Sequence, residues 1–119
     1  MFAGYRAGDY ADVLRAIDLF TFLVPGSDGT CRALLEAAAC GIPAVTTRRG
    51  ALAEIVVDGE TGLLADETPE SLAAAWEDLL AEPARRAALG AAASLRAQRL
   101  FTPENLADAV LRLYDEARR

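Results

Sequence analysis

The sequence contains no histidine and no lysine; all twelve basic residues are arginines. Without those side chains no Ser–His or Cys–His nucleophile, no histidine metal site and no lysine Schiff base can be assembled. Any acid–base step would rest on Asp or Glu. No apolar run approaches the ~18 residues that a membrane-spanning helix needs. No basic segment followed by an apolar one marks a signal peptide at the N-terminus. Cysteine is scarce, with only Cys31 and Cys40. Both fall in one segment that reads as helix. Nine residues at roughly 100° each put them on opposite faces, about 13 Å apart along the axis. A disulfide needs α-carbons within about 7 Å, so two thiols are expected, as suits a reducing cytosol. Two cysteines alone make a poor metal site, and no metal or other cofactor is expected.

What remains is an ordinary globular composition: 119 residues, 53% hydrophobic and 25% charged. That length fits one small domain with a single core. The net charge of −6 speaks against a nucleic-acid partner, because phosphate backbones call for a basic face.

Along the chain, Phe2 to Tyr5 reads as the end of a strand. Asp9 is placed to cap a short helix carrying Val13, Leu14 and Ile17 on one face. Leu19 to Val24 is a continuous apolar run of strand formers, the pattern of a strand buried on both faces in a parallel sheet. A turn-rich loop, Pro25 to Gly29, leads to a helix from Thr30 to Ala39. Gly41 is placed as its C-cap, and Pro43 prevents continuation. Ala44 to Thr47 predicts a strand, Ala51 to Val57 a short helix, Asp58 to Gly62 a tight turn and Leu63 to Ala65 a brief strand. Three helices follow. Thr68 caps the first, whose apolar stripe is Leu72, Trp76, Leu79 and Leu80. Glu82-Pro83 separates it from an Ala-rich helix ending near Arg99. Thr102-Pro103-Glu104 starts the last, with Leu106, Val110, Leu113 and Tyr114 as its apolar face.

Strands alternating with helices up to Ala65 predict an α/β fold with a parallel sheet of three to four strands. The expected organisation is one partial domain over residues 1–119: a βα core over 1–66 and C-terminal helices over 67–119. In such sheets ligands sit outside the carboxyl ends of the strands, which is where the loop after Val24 falls. In PGSDGTCRALLEAAACG (Pro25 to Gly41), two glycines flank Ser27 and Asp28 just before a helix start. The first N–H groups of a helix lack internal partners and carry the positive end of its dipole, so a phosphate is stabilised there. Gly29 would admit a ligand close to the backbone. Asp28 in the loop and Glu36 in the second turn could hold two sets of hydroxyls with a phosphate between them. The same residues admit a purely structural reading: Asp28 as N-cap, Glu36 paired with Arg32, and Arg32 as a solvated side chain. Arg48 and Arg49, in the next sheet-end loop, read better as a solvated pair than as diphosphate ligands.

The stretch VLRAIDLFTFLVPGSDGTCRALLEAAACGIPAVTT, followed by GALAEIVVDGETGLL and the Phe101-Thr102 entry to a last amphipathic helix, resembles family 4 glycosyltransferases. These are the group 1, retaining enzymes of the GT-B fold. The resemblance runs from Val13 to Tyr114, on the C-terminal, donor-binding domain. It implies a truncated Rossmann-like sheet and a UDP- or GDP-linked sugar as ligand, with transfer of a hexose-like sugar to an acceptor. It also implies that Glu36 meets the ribose hydroxyls and Asp28 the donor sugar, while the amides of Gly29, Thr30, Cys31 and Arg32 meet the sugar and diphosphate. Asp28 is one methylene shorter than the usual glutamate. Thr30 and Cys31 stand where an aromatic residue and a glycine are usual. None of these residues is identified as catalytic beyond a donor-sugar contact by Asp28.

By the same resemblance, the units carrying a basic diphosphate clamp and the N-terminal acceptor domain lie outside this chain. Donor binding without turnover is therefore expected of the chain alone, with the missing domain or another chain as partner. The expected location is the cytoplasm, including the inner membrane surface through a partner. The family strand order 3-2-1-4-5-6 would leave Leu19 to Val24 as an open edge. That edge is expected to be covered by the Phe2 to Tyr5 stub or, in preference, by a second copy. Two other readings use the same sequence. One is a non-catalytic α/β interaction module that keeps the fold without the site. The other, a flavodoxin-like receiver, would need a lysine that is absent.

Overall fold

In a computed structural model, residues 4–24, 29 and 31–119 are described. The elements alternate as α1 (Tyr10–Arg15), β1 (Phe20–Phe22), α2 (Arg32–Ala39), β2 (Ala44–Thr46), α3 (Leu52–Ile55) and β3 (Gly62–Leu64). Three helices close the chain: α4 (Pro69–Ala81), α5 (Pro83–Leu100) and α6 (Pro103–Ala117). The strands form one parallel sheet in the order β1-β2-β3, with Phe20 opposite Ala44 and Ala44 opposite Gly62. The fold is the α/β arrangement that the alternating pattern predicts.

Successive strand residues point to opposite faces, and both faces of this sheet are covered. Ala44 belongs to a core with Cys31, Leu34, Leu52, Ile55 and Val56, against which Phe20 and Phe22 pack. Its neighbour Val45 turns the other way, into a core with Ala65, Leu79 and Leu89. A third cluster, Leu14, Ala37 and Ile42, joins α1 to α2. Burial on both faces is complete only in β2. β1, expected from its apolar run to be buried on both faces, is partly buried, and Leu23 and Val24 after it are exposed, because no strand covers its outer side among the described residues.

Several sequence signals work as read. Gly41 adopts φ +78 and ends α2 in a Schellman arrangement: its N–H donates to Ala38 O at 2.9 Å, and the Ile42 N–H donates to Ala37 O at 3.1 Å. Thr68 and Thr102 each accept from the N–H three residues on, Ser71 and Asn105, at 3.2 Å. Other signals fail for identifiable reasons. Asp9 does precede α1, but Arg6 occupies its carboxylate, and no side-chain cap bond forms. The described part of the expected N-terminal strand, Gly4 and Tyr5, is not a strand, and Tyr5 is 95% exposed; residues 1–3 lie outside the described residues. Only Leu79 of the α4 stripe is fully buried. Trp76 lies along β1 with its indole N–H donating to Thr21 Oγ1 at 2.9 Å, and Leu80 is exposed. No residue of α6 is buried, so its apolar face has no cover among the described residues.

The carboxyl end of the sheet is stitched from the side. Thr46 and Thr47 are buried, and their hydroxyls donate to the carbonyls of Phe22 and Leu23, the second at 2.6 Å. These bonds fix the end of β1 just before the loop to α2. The outer side of β1 has no strand beside it among the described residues. No helix of the described residues is long and apolar enough to cross a membrane.

Candidate functional site

The site predicted from sequence is the turn from β1 into α2. Asp28 and Thr30 lie outside the described residues. Gly29, Cys31, Arg32 and Glu36 are described: Gly29 and Cys31 lead into α2 from the carboxyl side of the sheet, Arg32 is its first residue and Glu36 lies in its second turn. Gly29 has φ +68, which glycine tolerates without cost.

Cys31 differs from expectation. It precedes α2 instead of lying in it, with φ +51 and ψ +34, the left-handed region. A residue with a Cβ is disfavoured there. The side chain is nonetheless 2% exposed, packed with Leu34 and Leu52, and its thiol lies 3.7 Å from Gly29 O. The backbone entering α2 is thus left-handed, a conformation that glycine adopts without cost. Both cysteines are thiols, with Cys40 at the far end of the helix.

Arg32 is the first residue of α2, and its Nε donates to Glu36 Oε1 at 2.8 Å. The structural pairing of Glu36 with Arg32 is thus present. Tyr10 lies in the same wall, where desolvation first and the neighbouring Glu36 carboxylate second push its phenol above its ordinary pKa. These groups open on a cavity of about 560 Å³ between the segment 4–7, α1 and α2, with Tyr10, Arg6, Arg32 and Glu36 in its wall. The Arg32 side chain is 84% exposed and that of Glu36 31%. The carboxylate is therefore accessible to a ligand that could replace the guanidinium. Sequence reasoning missed Tyr10 and the 4–7 segment. Their only signal was position, as the loop before the helix that packs on α2.

A second cavity, about 350 Å³, lies at the ends of β1 and β2 against the start of α4. Leu23, Val24, Thr47 and Arg49 contribute to its lining. Arg49 makes a two-pronged pair with Glu67, at 2.5 and 2.6 Å, which holds the Glu67 carboxyl below its ordinary pKa. Arg48 stands 3.6 Å from Asp58. Both arginines thus have carboxylate partners.

The family model described as "Glycosyl transferases group 1" matches residues 1–82, more than half of the chain. The chain belongs to the group 1 glycosyltransferase family. A D-inositol 3-phosphate glycosyltransferase of Rhodococcus opacus is 43% identical over 106 residues, covering 87% of this chain and 23% of that protein. A GDP-mannose-dependent alpha-(1-6)-phosphatidylinositol monomannoside mannosyltransferase of Mycolicibacterium smegmatis is 49% identical over 59 residues, 49% of this chain and 15% of that protein. Among solved structures, sucrose-phosphate synthase of Thermosynechococcus elongatus superposes with a TM-score of 0.79 at 30% identity, over 98% of this chain and 30% of that one. Anabaena HepE, solved with UDP and glucose, gives a TM-score of 0.83 at 23% identity over 98% of this chain and 32% of that one, a likeness of fold. This group 1 chain therefore spans about a quarter of the length of such a relative.

Proposed function

We propose that this chain carries the nucleotide-binding half of a glycosyltransferase donor site, taking a UDP- or GDP-linked sugar from which a hexose-like sugar passes to an acceptor. The observation that carries the reading is Glu36, a half-exposed carboxylate in a cavity wall, one turn beyond a left-handed helix start at the carboxyl end of β1. A carboxylate accepts hydrogen bonds from two vicinal hydroxyls, as a ribose offers. The amides at the start of α2 present the positive end of its dipole to a diphosphate. Asp28 is assigned to the donor sugar, and transfer is assigned retention of configuration from the family resemblance. The names of relatives agree in kind: one is GDP-mannose-dependent, and a protein of the same fold holds UDP and glucose. No step is assigned to a metal.

The acceptor site and the basic clamp are assigned to another domain or chain, so the 119-residue chain binds donor without turnover. A cytoplasmic location, at the inner membrane surface where a partner supplies the contact, belongs to the same reading. Association of a second copy along the outer edge of β1 is part of it too, and light scattering at high micromolar concentration checks that part.

Calorimetric titration with UDP and GDP tests the site. Glu36→Gln is expected to weaken binding more than Asp28→Asn, because the ribose and phosphate contacts are the ones this chain supplies. Absence of saturable binding at millimolar nucleotide, or parental binding by both variants, would leave the non-catalytic interaction module as the reading.

A further inference from the structure

Arg32 is a poor choice for helix stability at its position. A cation at the first residue of a helix faces the positive end of the dipole, and Arg placed four residues before Glu is the weaker order for a helical pair. The first turn of α2, like that of α5, has no acidic residue to offset the charge. Yet Arg32 sits in the wall of the 560 Å³ cavity, beside Tyr10, and holds one oxygen of Glu36. Bidentate capture of a vicinal diol uses both carboxylate oxygens, each of which has two acceptor sites. In that geometry the guanidinium on Oε1 competes with one of the two hydroxyls.

We propose that Arg32 is an exchanging residue: paired with Glu36 in the absence of nucleotide, it transfers to the diphosphate when a ribose takes Glu36. The inference rests on the donor-site reading above and assigns the Arg32 side chain a role beyond that of its backbone amide. Helical side chains lean toward the helix N-terminus. A released guanidinium on the first residue therefore sweeps the space where the diphosphate is assigned, and its planar fork matches phosphate oxygens. At 84% exposure no packing holds it back. The exchange couples the two halves of the ligand. A diphosphate nucleotide replaces the broken Arg32–Glu36 pair with an Arg32–phosphate pair, and a bare nucleoside does not.

The test compares UDP and GDP with uridine and guanosine, by calorimetry for the diphosphates and NMR titration for the weaker nucleosides. The proteins are the parent, Arg32→Ala and Arg32→Gln, with circular dichroism confirming that the exposed substitutions leave the fold intact. Diphosphate affinity is expected to fall about tenfold in both variants, the scale of one charge-assisted hydrogen bond. Nucleoside affinity is expected to stay level or rise, because no guanidinium competes for Glu36. Equal loss for nucleosides and diphosphates, or no change in either, overturns the exchange while leaving the donor site in place. Failure of the parent to bind any diphosphate overturns both.

Discussion

Gly90 on α5 runs so close to the end of α2 that a Cβ built on it would lie 2.1 Å from the carbonyl oxygen of Gly41. The obstacle is backbone, and the Pro43 ring stands 3.1 Å away on another side, so little can yield. This crossing fixes the C-terminal end of the helix whose other end carries the candidate site. Gly90→Ala should destabilise the domain by about 1–3 kcal/mol or more, as overpacking does, read from the urea midpoint. Gly8→Ala, with nothing within 4 Å of its Cβ, is the control and should stay within about 0.5 kcal/mol of the parent. Equal midpoints for the two variants would mean that the helices separate without cost.

Cys31 offers a cleaner measure of strain at the site. Cys31→Ala and Cys31→Gly both remove the buried thiol, so both lose packing against Leu34 and Leu52. They differ in tolerance of φ +51. Glycine should therefore be the more stable of the two, by about 1 kcal/mol, reversing the usual advantage of alanine. Measured unfolding free energies in which alanine equals or exceeds glycine would show that the left-handed entry to α2 is not enforced.

How far the sequence could be read follows from what each signal depends on. Caps and stops are local chemistry, and Thr68, Thr102 and Gly41 act as their residue types predict. The strand at Ala44 to Thr46 was legible because Gly41 and Pro43 stop the helix just before it. The Trp76 and Leu80 stripe was misread because periodicity gives the direction of a face but not its width; α4 rests on the sheet through Leu72, Ala75 and Leu79. Asp9 was a correct boundary with the wrong partner, since a neighbouring arginine outcompetes the helix amides for its carboxylate. At the site, spacing placed Glu36 on α2 beside Arg32. The left-handed Cys31 was hidden, because a Cβ residue in that conformation follows from tertiary enclosure rather than from propensity. Tyr10 was hidden as well, since its approach to Glu36 depends on how α1 packs on α2.

The last helix allows a test of what amphipathicity alone can hold. Along α6, Leu106, Val110, Leu113 and Tyr114 are 66%, 40%, 64% and 64% exposed. Its links to the rest of the chain are local: the Thr102 cap and a bond from Asn105 Nδ2 to Arg99 O at 2.5 Å. An isolated helix of this length is marginal in water even with a good cap. α5 is different, with Leu89, Ala93 and Ala97 buried and Arg96 bonded to the carbonyls of Glu54 and Ile55. In native-state hydrogen exchange of the 119-residue chain, α6 amides should exchange through local fraying, far faster than those of α5. Removing residues 103–119 should change the unfolding free energy of the remainder by no more than about 0.5 kcal/mol, as surface changes do. Protection of α6 equal to that of α5 at low protein concentration would show that its apolar face is covered within the chain. Protection that appears only as concentration rises would show that a second copy covers it.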